Sequence, residues 1–538
     1  MTDSRLITAL QQPQLFNHPV DRFRLIQTHI SWVLLTGHFA YKLRKPVNLG
    51  FLDFSTPQQR FEDCREELRL NRRFSPELYL GLIRIQGTLD HPQLEVADPL
   101  QPFDPCALEY AVQMVEFPQS QLLSQQQPLP KPELLALARE LAELHAKAPS
   151  QPSDSTFGSL TTISAVMLEN FTQISPYLNN QSLKSKTQPL PHSKLTDQLR
   201  QLRLQTEMTL QQQTPLLTDR HRLGHIRECH GDLHLGNIVL HQGRACPFDC
   251  IEFNPRYRWI DPLSDLAFLL MDLQLRKQER LSNLLLNSYL ERSLDYHALP
   301  LLPLYLAYRA MVRAKITLLS SGNSEQPITP LVIKHYRNYA NLAEQALAPK
   351  KAQLILMQGR SGSGKSWLSQ QLIGQGPWIR LRSDELRKHW HSQQPAAVKR
   401  YGPDMNKLTY QRLRELTKTL LESGLSVIID AAFLRHADRQ IFLNLAQKLG
   451  IEPRIISCIA TEETLEQRIK RRLADQNDPS EASVELTKQQ KSSLDPLTPE
   501  ELTYTLTVDT GCKQQVDGCL LRLAMLKLQS NDLKPEQN

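Results

Sequence analysis

No stretch of this sequence stays apolar for the roughly 18 residues that a helix needs to cross a bilayer. Its opening residues, MTDSRLITALQQPQ, lack the basic-then-apolar order of a secretory leader. Together these absences predict a cytoplasmic protein with no membrane partner. Basic residues never run five or six together, so the net charge of +7 suits anionic small molecules and does not by itself argue for nucleic acid. Cysteine is sparse: of eight scattered residues, Cys246 and Cys250 are the closest pair, and no second pair or histidine set lies at zinc spacing. Reduced, mostly buried thiols are expected. There is no internal repeat, which removes solenoid and propeller architectures.

The 538 residues, 40% apolar and 22% charged, suffice for two or three domains with full cores. From 21 to about 117, short apolar runs alternate with turn signals: THISWVLLTGHFAYKLRKPV predicts a hairpin and EDCREELRLNRRF a helix. Residues 131–345 are mostly helical by pattern, broken by a polar loop, NNQSLKSKTQPLPHSK. LAPKKAQ at 347–353 marks a boundary. From Leu354 onward the apolar strands LILMQG, SVIIDAAF and RIISCIA alternate with amphipathic helices, the pattern of a parallel sheet with crossover helices. The polar tail, 528–538, is expected to fray.

LILMQGRSGSGKSWL combines an apolar strand, G-x-x-x-x-G-K-S and the start of a helix, the full context of a phosphate-binding loop. Gly359, Gly362 and Gly364 permit the tight turn, with Arg360, Ser361 and Ser363 between them, so that backbone N–H groups face phosphate oxygens. Lys365 would neutralise the β- and γ-phosphates of ATP, the Ser366 hydroxyl would ligate Mg²⁺, and the helix opening adds its positive dipole end. Asp384 follows a short strand in IRLRSDELRKHW, where it is either a functional carboxylate or a helix cap. Asp430 ends another strand and could serve magnesium or substrate. A hydrolysing motor would want Glu after that Asp, and Ala431 stands there instead. Arg468 and Arg472 lie one helical turn apart, with Arg471 near them, either to stabilise transferring phosphate or as a solvated basic face. Residues 352–525 resemble the small P-loop kinases grouped with polynucleotide kinase, zeta toxin and chloramphenicol phosphotransferase. The resemblance implies that Asp384 accepts the proton of a substrate hydroxyl and that Arg468 and Arg472 hold ATP phosphates.

CHGDLHLGNIVL sets Asp232 and Asn237 five apart, the interval between catalytic Asp and metal-binding Asn in H-R-D-L-x-x-x-N. His230 is expected to anchor this loop by packing and hydrogen bonding. Asp249 lies twelve residues beyond Asn237, where a second metal-binding Asp belongs. Asp261 and Asp265 precede an apolar helix; Asp265 is expected to brace the loop. The stretch from His230 to Leu270 resembles the aminoglycoside and choline phosphotransferase family, matching H-G-D-x-H-x-x-N at His230, Gly231, Asp232, His234 and Asn237. The resemblance implies a bilobal protein-kinase-like fold, with Asp232 as base and Asn237 and Asp249 holding Mg²⁺. Ala40-Tyr41-Lys42 mirrors the A-x-K of V-A-I-K, which favours Lys42 over Lys45 for the α- and β-phosphates. Its carboxylate partner is Glu66 or Glu67; Glu66 is the working choice. AVQMVEFP at 111–118 is the expected hinge strand beside adenine. The Gly-rich phosphate loop of protein kinases is missing, with only LLTGHF before Lys42. Arg309 and Arg313, one turn apart, are expected in solvent on a helix whose Tyr, Leu, Met and Val face packs inward, the alternative being a basic wall that faces substrate.

The chain thus reads as α/β and α+β in two domains: a kinase-like domain at 1–347, its small lobe 1–117, and a P-loop domain at 352–527. The leading reading is a bifunctional ATP- and Mg²⁺-dependent phosphotransferase acting on small hydroxyl-bearing molecules. In the alternatives only the P-loop domain catalyses, or that domain is a nucleic-acid 5′-hydroxyl kinase. No pattern sets an oligomeric state.

Overall fold

The computed structural model describes residues 4–48, 52–179, 192–322, 328–395, 399–400, 402–474 and 490–531, with the side chains of 192–193, 472–474 and 524–531 outside that description. Most of the polar loop NNQSLKSKTQPLPHSK, the tail from 532 and the Arg472 side chain therefore lie outside the described residues. Two compact units form, each from two stretches of chain. One comprises Met1–Asp272 and Leu304–Ala343, the other Leu273–Pro303 and Glu344–Asn538.

The first unit begins with α1 (Ser4–Ala9) and a six-stranded antiparallel sheet in the order β1-β2-β3-β6-β4-β5. Its strands are β1 (Arg24–Gln27), β2 (Ser31–Leu35), β3 (Phe39–Arg44), β4 (Tyr79–Gly87), β5 (Pro92–Ala97) and β6 (Glu109–Val115). The predicted hairpin is β2–β3, closed by the Thr36 N–H donating to the Phe39 carbonyl at 2.9 Å and by Gly37 at φ +97°. Alternation sorts the side chains onto two faces. Ala40, Leu82 and Val112 join Phe61, Cys64 and Leu68 of α2 (Pro57–Asn71) in one core. Tyr41, Ile83 and Ala111 join Leu6, Ile7 and Leu10 in another. Helix α2 starts at a capping box between Thr56 and Gln59 with Pro57 in its first turn, which fixes the register of its buried face.

The stretch predicted as mostly helical contains α3 (Lys131–Lys147), α4 (Leu160–Asn179), α5 (His192–Arg222), α6 (Pro262–Leu275), α7 (Glu279–Ser293), α8 (Leu302–Leu319) and α9 (Pro330–Leu347). Short strands punctuate it: β7 (Arg227–Glu228), β8 (Ile238–His241), β9 (Arg244–Pro247) and β10 (Trp259–Ile260).

The second unit carries the expected parallel sheet. Its strands are β11 (Leu354–Gln358), β12 (Trp378–Arg382), β13 (Ser426–Asp430), β14 (Pro453–Ile459) and β15 (Thr505–Asp509), ordered β12-β13-β11-β14-β15. Every residue of β11 is buried, as a central strand covered on both faces requires. Helices α10 (Lys365–Ile373), α11 (Ser383–Ser392), α12 (Pro403–Glu422), α13 (His436–Lys448) and α14 (Glu462–Ala474) connect the strands. The register sets Met357, Arg382 and Asp430 abreast, so the loops after β11, β12 and β13 emerge together at the carboxyl end of the sheet, where such folds place ligands.

Two candidate active sites

In the first unit the period of a strand puts Lys42 and Arg44 on one face of β3. Lys42 Nζ donates to Glu67 Oε1 at 2.7 Å and to Asp249 Oδ1 at 2.6 Å. Burial opposes the lysine's charge, but Asp249 and Glu67 outweigh it and hold its pKa above the ordinary value. Burial also pushes the Asp249 carboxyl up; the Lys42 ammonium more than offsets this, and the group stays below the usual carboxylate range. Asp249 is held at φ +63°, a sparsely populated conformation of the kind that clusters at functional sites. Behind this pair Arg44 donates to Ser31 Oγ at 2.9 Å and to Glu67 Oε2 at 2.7 Å, and also meets Glu252 and Asp63. Burial drives Glu252 up to about 8 and Asp63 up to about 6 against the pull of the Arg44 cation.

Lys42, Arg44, Asp249 and Glu252 line a cavity of about 370 Å³ that also reaches Asp232, Met114 and Phe117. The expected hinge segment therefore borders it, with β6 ending at Val115. Ile26 of β1 and Thr28 and Ile30 of the following turn also line it. Leu35 of the LLTGHF segment lines it too, and the Gly37 N–H donates to Glu116 Oε2, another lining residue, at 2.7 Å. The choice of Glu66 beside Lys42 is corrected. Glu66 bonds Arg69 and Arg258, each at 2.7 Å, because it sits about 100° around the helix from its neighbour.

Asp232 and Asn237 meet as their spacing requires. Asn237 Nδ2 donates to Asp232 Oδ2 at 2.8 Å and to the Asp232 carbonyl at 3.1 Å. Burial would raise the Asp232 carboxyl, but His234, 3.4 Å away, together with Arg313 and His230, holds it well below the usual range. His230 is fully buried and acts as the expected anchor: its Nε2 lies 3.0 Å from the Phe248 carbonyl, and its N–H donates to Asp265 Oδ2 at 3.0 Å. Asp265 also accepts the Gly231 N–H at 2.8 Å, bracing the loop. Asp261 caps the following helix through the Leu263 N–H at 2.9 Å and pairs with Arg220.

The placing of Arg309 in solvent is also corrected. It is 3% exposed, donates to the Gly231 carbonyl at 2.9 Å and lies 5.0 Å from the centre of the Phe268 ring. Arg313 is half-buried, 3.3 Å from His234 Nε2. Amphipathicity assigned both to the polar face, yet a buried carbonyl needs a donor and Arg309 supplies it.

In the second unit the loop glycines are conformationally required. Gly359, Gly362 and Gly364 have φ of +143°, +83° and +84°, and a Cβ on Gly364 would sit 2.8 Å from Thr510 Oγ1. Lys365 Nζ donates to the Arg360 carbonyl at 2.9 Å, and the Ser361 N–H to Gln490 Oε1 at 2.8 Å. Arg360 pairs with Glu462 at 2.7 Å. Arg468 turns to the loop itself, donating to Thr510 Oγ1 at 2.7 Å and to the Gly362 carbonyl at 3.3 Å, while Arg471 is exposed. Asp384 lies in the first turn of α11, 3.3 Å from Arg387.

Both donor sets suit a hard divalent cation. In the first cleft these are the oxygens of Asn237 and Asp249. In the second they are Ser366 and Asp430, whose buried carboxylate has the Ser369 hydroxyl at 3.3 Å and Arg382 Nε at 3.9 Å. Ser363 Oγ is buried within the loop without a hydrogen-bond partner, an orphan that a phosphate oxygen would satisfy. Sequence reasoning missed Arg44, Glu252 and Arg380. Only Arg44 was signalled, by standing two residues from Lys42 on the same strand.

Residues 50–302 match the phosphotransferase enzyme family and residues 354–497 an AAA domain. The chain is an enzyme of the kinase and phosphotransferase class, with a kinase-like fold joined to a P-loop fold. Over 477 residues it is 27% identical to uncharacterized proteins of Mycobacterium tuberculosis strain H37Rv and Mycobacterium bovis, covering 86% of this chain and 89% of each relative. That length necessarily reaches into both segments. Among solved structures, a choline kinase from Cryptosporidium parvum Iowa II is 14% identical with a TM-score of 0.37, covering 64% of this chain and 95% of that one. A gluconokinase from Sinorhizobium meliloti 1021 is 19% identical with a TM-score of 0.26, covering 34% and 99%. The eight cysteines are unpaired, six of them buried and Cys106 exposed. Among the described residues no helix is long and apolar enough to cross a membrane.

Proposed function

We propose that the chain is a bifunctional ATP-dependent phosphotransferase, transferring the γ-phosphate to hydroxyl groups of small molecules at both sites. The observation that carries this reading is that Lys42, held by Glu67 and Asp249, lines one cavity together with Asp249 and Asp232, in a chain that also holds a complete phosphate loop. Bound Mg²⁺–ATP supplies the phosphoryl group and the cation that neutralises charge between its oxygens. In the first cleft Lys42, already poised on Asp249, offers its ammonium to phosphate oxygens. Asn237 and Asp249 offer oxygens to the cation. Asp232, kept ionised, accepts the proton of the acceptor hydroxyl, and Asn237 fixes its orientation. In the second, the loop amides and Lys365 hold phosphate, Ser366 and Asp430 serve the cation, and Asp384 takes the acceptor's proton.

The test follows ATP consumption with a panel of sugars, nucleosides and amino alcohols, comparing Asp232→Ala and Lys365→Ala chains. Each substitution is expected to remove one set of acceptors, by about 10²–10⁴-fold where a general base is lost. If Asp232→Ala leaves every activity intact, the first cleft is not catalytic and the bifunctional reading fails.

A further inference from the structure

Helix α7 falls inside the segment matched to the phosphotransferase family, sixty residues before the P-loop segment begins, yet it packs in the P-loop unit. Asn283, Asn287 and Glu291 recur every four residues and so stack along one face. Asn283 Nδ2 donates to the carbonyls of Ile373 and Gly376. Asn287 donates to the Trp378 carbonyl at 2.9 Å and accepts the Arg380 N–H at 2.8 Å. Its amide thus pairs with edge strand β12 much as a neighbouring strand would. Glu291, the next rung, accepts from Arg380 Nε at 2.9 Å.

The guanidinium does not stop there. Arg380 Nη1 donates to the Ser366 carbonyl at 3.1 Å and to Ser369 Oγ at 3.2 Å, and Ser369 Oγ lies 3.3 Å from Asp430 Oδ2. Arg380 is 4% exposed, so these contacts act where solvent screens little. Fastening a helix to an edge strand needs only the asparagines and the ion pair. The extra bonds hold the Ser366 carbonyl, and Ser369 Oγ, whose one hydrogen is shared between that carbonyl at 3.1 Å and Asp430 Oδ2 at 3.3 Å, links them to the carboxylate.

We propose that Asn287, Glu291 and Arg380 are positioning residues for the metal site of the phosphate loop, so that a helix lying in the other family's segment completes that site. The proposal rests on Ser366 and Asp430 being the cation's ligands. Second-shell groups of this kind orient the ligands without touching the ion.

The test uses the full chain carrying Lys42→Ala, which silences the first cleft, and titrates a fluorescent ADP analogue with Mg²⁺ and, separately, in EDTA. Glu291→Gln and Arg380→Lys are each expected to raise the Mg²⁺ concentration for half-maximal binding by about tenfold, with binding in EDTA unchanged. Glu291→Asp, which keeps the charge, is expected to recover part of that shift. Lys365→Ala is the control on the underlying reading: if it binds the analogue as its parent does, the nucleotide assignment itself has failed. If Lys365→Ala does abolish binding while both variants keep their parent's Mg²⁺ midpoint, the positioning role is overturned. An equal loss of affinity with and without metal also overturns it, since that is the mark of a purely structural contact.

Discussion

At the residue scale, the adjacent carboxylates Glu66 and Glu67 divide into two roles. The buried residues of α2 are Arg60, Phe61, Asp63, Cys64, Glu67, Leu68, Leu70 and Asn71, a set that includes Glu67 and passes over Glu66. The helical period therefore held the answer that the residue type alone withheld. Glu67 is fully buried with one oxygen on Lys42 and the other on Arg44, whereas Glu66 lies nearer the surface with Arg69 and Arg258. Removing one partner of a buried ion pair leaves the others uncompensated and costs about 3–5 kcal/mol. Glu67→Gln is expected to lower the melting temperature of the first unit sharply and to abolish transfer dependent on Asp232. Glu66→Gln is expected to cost under about 1 kcal/mol and to leave that transfer intact. Calorimetry and the ATP-consumption assay on the two variants check both halves; equal losses would contradict the assignment.

At the element scale, what could be read from the sequence depended on whether an element carries its own information. The phosphate loop is contiguous, and its glycines, lysine and flanking strand and helix were all legible because one local turn needs them together. The loop from His230 to Asn237 was legible for the same reason, down to the anchoring roles of His230 and Asp265. The charge cluster between β3, α2 and the segment after Asp249 was not, because it is assembled from residues up to 208 positions apart, as Arg44 and Glu252 are. It sets two cations, Lys42 and Arg44, against four carboxylates, Asp63, Glu67, Asp249 and Glu252. That excess of negative charge in a buried place favours a retained proton, and burial pushes Glu252 from its ordinary 4.5 to about 8. The folded state then holds a proton that the unfolded chain gives up. The stabilisation is fully present below the ordinary carboxylate value and is lost as pH rises through the folded value. Denaturant unfolding between pH 5 and pH 8.5 is expected to show falling stability of the first unit, and Glu252→Gln, which fixes the neutral form, is expected to flatten that slope. A slope unchanged by the substitution would assign the effect to other groups.

At the scale of the whole molecule, the two units are interleaved along the chain. It enters the second at Leu273, returns to the first at Leu304, and re-enters the second at Glu344. No composition shift announces the excursion, since α7 is as ordinary a helix as its neighbours. Its membership rests on asparagine side chains meeting backbone groups of a strand almost a hundred residues away. The P-loop unit is therefore expected to lose stability when cut out at the boundary that LAPKKAQ suggests. In a fragment of residues 344–538 the edge of β12 opens to water, and the Trp378 carbonyl and Arg380 N–H exchange Asn287 for solvent at about 0.5–1.5 kcal/mol each, while Arg380 loses Glu291. These losses fall on an ordinary domain stability of only about 5–15 kcal/mol. That fragment is expected to lack a cooperative thermal transition by circular dichroism, and adding a peptide of residues 273–303 in excess is expected to restore one by mass action. A fragment that melts cooperatively without the peptide, at the temperature of the full chain, would show that α7 is packed on β12 without supporting it.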